Sequence, residues 1–83
     1  MISTVTDLMA EALFASSVQP SDRPDAVAVH TAIEDSVLRY GAEGCAAILA
    51  AEYGDHPDSA VARMTWARQT VAAAVASRTS PLS

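Results

Sequence analysis

Apolar residues return every three or four positions along four stretches of this chain, and nowhere do they alternate at period two. That pattern predicts α-helices with one buried face each and no strands. The first stretch runs from Ser3 to about Ser16. Val5, Leu8, Met9, Ala12, Leu13 and Ala15 form its apolar stripe, and Phe14 falls beside the stripe's centre. Ser3 or Thr4 can cap the first free N–H groups, with Asp7 near the positive helix end. The second stretch spans about Ala26 to Tyr40, capped by Asp25, with Ala26, Val29, Ile33, Val37 and Tyr40 on the apolar face and His30 at its edge. Gly41 follows, where a helix end takes up the left-handed conformation that suits glycine.

The third stretch spans about Ala42 to Tyr53, with Cys45, Ala46, Leu49, Ala50 and Tyr53 on one face and Gly54 as its stop. The fourth runs from Ser59 to about Arg78, with Asp55 as the expected cap and Pro57 and Asp58 in the first turn. Val61, Met64, Arg68, Val71 and Val75 mark its seam, Ala60, Ala67 and Ala74 widen it, and Trp66 lies on another face. At roughly twenty residues this helix is about 30 Å long. Its neighbours fall short of that length, so its last turns, Ala72 to Ala76, are expected to be exposed, frayed or covered by a second copy.

Ser16 to Pro24 is the one clear connector, because its two prolines and three serines stop a helix and hold the chain extended. The predicted architecture is all-α. It is a compact four-helix domain over residues 1–78, with a helix-turn-helix-like hairpin around Gly54, a long C-terminal helix, and a loose tail over 79–83.

Composition narrows the function. At 83 residues the chain holds one domain at most, and so small a core usually needs dense packing or a partner. Ten acidic residues face five arginines and no lysine, a net charge of −5. That balance repels phosphate backbones and anionic membrane faces and suits a basic protein partner. Eighteen alanines favour helices with thin faces. With Cys45 as the single cysteine, no basic leader and no apolar run of membrane-spanning length, the expected setting is the reducing cytoplasm, away from membranes.

The residues between 49 and 68 carry a local motif. A helix-turn-helix needs a small residue where its helices touch, then Gly four positions on, then apolar positions seating the second helix. Leu49-Ala50, Gly54, Ala60 and Arg63-Met64…Ala67-Arg68 have that spacing. The stretch resembles the helix-turn-helix of region 4 in sigma factors. That resemblance implies a DNA-binding regulator with Arg63 and Arg68 as its basic contacts. It departs from the pattern at Asp55 and Asp58, which stand where a DNA reader carries Arg, Asn, Gln or Ser. Over much of its length the chain also resembles small uncharacterised helical proteins of GC-rich actinobacteria. The strings Leu13-Phe14-Ala15-Ser16-Ser17-Val18-Gln19-Pro20-Ser21, Gly44-Cys45-Ala46-Ala47 and Tyr53-Gly54-Asp55-His56-Pro57 carry that likeness, which implies no activity.

No catalytic, cofactor-binding or metal site is expected. Asp55-His56-Pro57-Asp58 places one imidazole between carboxylates, short of the ligands that a zinc site needs. Cys45 has no sequence-adjacent His or Arg to lower its pKa, so it reads as a small core residue. Phe14 and Trp66 stand off their stripes, and with Val71 and Val75 they are the candidate interface residues. The leading expectation is a protein–protein interaction module that forms a homodimer or binds another protein, compatible with a regulatory role. The alternative is the DNA-binding regulator.

Overall fold

The computed structural model describes residues 4–79. Three α-helices make up most of it: α1 Thr4–Ala15, α2 Ala26–Asp55 and α3 Pro57–Thr79, with a single 3₁₀ turn at Pro20–Asp22 in the connector. No strand occurs among the described residues. The radius of gyration, 12.5 Å, is close to the roughly 12 Å of a folded chain this long. Each helix packs on both others.

The expectation of four separate helices is corrected to three, because the second and third stretches join into α2. Their junction is still visible. Gly41 has φ 71° and ψ 173°, a non-helical conformation inside the element, and only glycine adopts that region readily. One turn later Gly44 lies so close to Tyr40 that a Cβ there would stand 2.8 Å from the Tyr40 Cβ. Gly41 therefore marks a kink between two helical runs of α2, and Gly44 leaves room for the close approach of Tyr40. Its start is as the sequence predicts, with the Asp25 carboxylate accepting from the Ala28 N–H at 2.8 Å.

The hairpin between α2 and α3 is tighter than a helix-turn-helix. His56 is the only residue between the two helices, where the DNA-binding motif uses a turn of three or four. Gly54 and Asp55 are still helical, so Gly54 does not stop the helix and Asp55 does not cap the next. The His56 N–H donates to the Glu52 carbonyl at 2.7 Å, and the His56 carbonyl accepts from the Ala60 N–H at 2.8 Å. Pro57 then opens α3, where its missing N–H costs nothing.

The buried faces are rotated from the expected stripes. On α2 the core takes Val29, Ala32, Ile33, Ser36 and Cys45, while Val37 and Tyr40 stay 39% and 41% exposed. On α3 the buried line is Ala60, Met64, Ala67, Val71 and Ala74, and Val61 and Arg68 point outward. In both cases small residues sit at the helix contacts, where they let the backbones approach. From α1 come Ala10, Ala12, Leu13 and Phe14. The last described turns of α3 are mixed: Ala72, Ala73 and Ala76 are exposed, Val75 is half-buried and Ala74 is buried. Helix α3 runs to Thr79; residues 1–3, with the expected Ser3 cap, and residues 80–83 of the expected tail lie outside the described residues.

Candidate interaction surfaces

The best-built polar feature of the chain is centred on Arg63, in the second turn of α3. Its Nε donates to the Phe14 carbonyl at 2.9 Å. Its Nη2 donates to the carbonyls of Ser16 and Val18, both at 2.9 Å, with a longer reach of 3.5 Å to Leu13. Leu13 and Phe14 belong to the last turn of α1, whose carbonyls have no partner within the helix and carry its negative pole. That turn has no basic residue of its own. Arg63 supplies the cation from another helix and ties the connector down with the same group.

Aromatic rings hold the guanidinium in place. It lies 5.1 Å from the centre of the Trp66 ring and 5.6 Å from that of Phe14, within cation–π range. Phe14 in turn stacks on Tyr53, centroids 6.2 Å apart and planes 12° from parallel. Burial pushes the Arg63 pKa down from its ordinary value, and the Glu52 carboxylate opposes that shift. Phe14 and Trp66 fall off their helical stripes because they flank this cation. The sequence held one signal of it, an Arg three residues before a Trp opposite a helix that lacks a basic last turn.

The predicted site residues therefore separate. Phe14 and Val71 are 3% and 0% exposed, so neither offers surface to a partner in the folded chain. Trp66 and Val75 are half-buried against the core. Arg63 is spent on main-chain carbonyls and is not a free phosphate contact, whereas Arg68 is exposed. Cys45 is fully buried, and its Sγ lies 3.8 Å from the Ser36 carbonyl. Burial first, and the Glu11 carboxylate second, push its thiol pKa up, the reverse of what a nucleophile needs. Asp55, His56 and Asp58 are all solvent-exposed. Among the described residues no three His, Cys, Asp or Glu side chains gather, and no helix is long and apolar enough to cross a membrane.

The surface that sequence reasoning missed is the outward face of α2. At 100° per residue, Val27, Thr31, Glu34 and Leu38 fall in one narrow strip, opposite the buried Val29, Ala32, Ile33 and Ser36. Leu38 is 87% exposed and Val27 is 74% exposed, and Thr31 and Glu34 between them are exposed too. A shallow depression opens beside Val27, bounded by Ala26, His30, Thr31 and Glu34. The His30 Nε2 is buried without a hydrogen-bond partner. On the far flank Asp35 and Arg39 form an exposed ion pair at 3.5 Å, a contact of little energetic weight. The strip escaped notice because a search for buried faces passes over apolar residues on the opposite pole.

No family model matches the chain, and no curated protein or solved structure matches it either.

Proposed function

We propose that this protein is a protein–protein interaction module that associates with itself, working in a reducing cytoplasmic setting. The observation carrying this reading is the outer pole of α2. That pole carries a single charge, Glu34, between two aliphatic side chains left mostly in water, Leu38 and Val27. Covering one such side chain is worth about 1.5–3 kcal/mol, a sizeable share of the stability of so small a domain. The single buried thiol fits a compartment without disulfides.

The DNA-binding reading has less support. Arg63, one of its two basic contacts, is engaged by α1, and the hairpin has one linking residue. A gel-shift assay on genomic fragments at low salt tests it, because phosphate attraction is greatest there. Sedimentation velocity from micromolar to near-millimolar protein tests the leading reading. The expected result is a sedimentation coefficient that rises with concentration. A constant monomer value sinks self-association.

A further inference from the structure

We infer that the outward strip of α2 is the self-association surface and that it pairs antiparallel with the same strip of a second copy. This rests on the interaction-module reading above and names the surface and its register. Val27, Thr31, Glu34 and Leu38 step by four, three and four residues, the spacing of a two-helix seam. Val27 and Leu38 lie equally far from the midpoint of the strip, and so do Thr31 and Glu34. Two antiparallel copies centred there bring each Leu38 onto Val27 of the other chain. They also bring each Thr31 hydroxyl opposite a Glu34 carboxylate, to which it can donate.

Charge selects this arrangement over the parallel one. Parallel pairing sets Glu34 directly against Glu34 on a chain already at −5. Antiparallel pairing sets Glu34 against a hydroxyl, and it sets Asp35 on the flank toward Ala28, an exposed small residue. Leu38, at 87% exposure, is not covered by its own chain, and this register lays it on the exposed Val27 of the second copy.

The strip spans only about three turns. It falls short of the roughly 1,200–2,000 Å² that specific, stable interfaces bury, so the dimer is weak and forms as concentration rises.

Two measurements test the pairing. Leu38→Glu places a second carboxylate in each copy's seam and abolishes the concentration-dependent rise in sedimentation. Its circular dichroism and melting stay those of the wild type, because Leu38 touches little of its own chain. The second measurement reads direction. Val27→Cys chains are mixed with Leu38→Cys chains under mild oxidation, the buried Cys45 taking no part. The expected product is the mixed disulfide, well above the Leu38→Cys homodimer and above an Ala46→Cys control on the second half of α2. A dominant Leu38→Cys homodimer, or cross-linking no better than the control, overturns the antiparallel strip. Association that persists in Leu38→Glu keeps the module reading and rejects this surface. A wild-type chain that is monomeric at every concentration removes both.

Discussion

The inner line of α3 and the outer strip of α2 have the same spacing and opposite fates. Ala60, Met64, Ala67, Val71 and Ala74 step by four and three and are at most 6% exposed. Val27, Thr31, Glu34 and Leu38 step in the same way and face water. Spacing identifies a helix face without saying which face another helix will cover. Side-chain size decides that here. The covered line is mostly alanine, so neighbouring helices come close. The uncovered strip ends in large aliphatic groups with polar ones between them. The chain buries many of its small residues and leaves Leu38, Val27, Val5 and Val61 outside, so its own core does not use all the apolar surface it carries.

The sharpest way to break this comparison is to truncate one apolar residue from each kind of place. Leu13→Ala, at a position 0% exposed, is expected to cost about 2–5 kcal/mol, while Leu38→Ala stays within about 0.5 kcal/mol in dilute solution. Urea denaturation of both variants measures the gap, and equal losses would mean that Leu38 is covered within its own chain. Arg63 comes next. Arg63→Met leaves the carbonyls of Phe14, Ser16 and Val18 without their donor and is expected to cost about 1–3 kcal/mol. Arg63→Lys recovers only part, since an ammonium cannot fork across several acceptors. Arg68→Met, on the exposed side, is the control and should be near neutral; thermal melts of the three variants report the order.

The smallest effect is the pH response of Cys45. Burial raises its pKa in the folded chain above the ordinary thiol value of about 8.5. Its contribution is fully present below that ordinary value and is lost as pH rises through the raised one. Urea midpoints should therefore fall between neutral and alkaline pH. Cys45→Ala, although less stable at neutral pH, should show a shallower fall. An unchanged slope would place the alkaline loss on other groups.

Much of the fold was legible in the residues themselves. The Asp25 cap, the break at Gly41 and the absence of strands among the described residues each follow from local chemistry: a carboxylate that reaches a free N–H, a residue tolerant of positive φ, and a period near four. Local chemistry misled at Gly54, which reads as a stop but remains helical, because the short link through His56 holds α2 and α3 together beyond it. It also misled on the stripes. Val37 and Tyr40 look apolar enough for the core, yet Ser36 is buried at 1% exposure in their place, since a close helix contact takes the smaller group. Of the site residues, Phe14 and Trp66 stood out in the sequence by falling off their stripes, and the structure brings them to one place. Both rings flank the Arg63 guanidinium.

The sequence by itself determined that this chain is helical, where α2 starts and bends, and that it carries a net negative charge. Those properties depend on neighbours within a turn or two, or on composition. Only the tertiary structure decided which side of α2 and of α3 is covered, and that Arg63 serves the end of α1 nearly fifty residues earlier in the chain. Such outcomes depend on how closely three rods can approach, and no single stretch of residues encodes that distance.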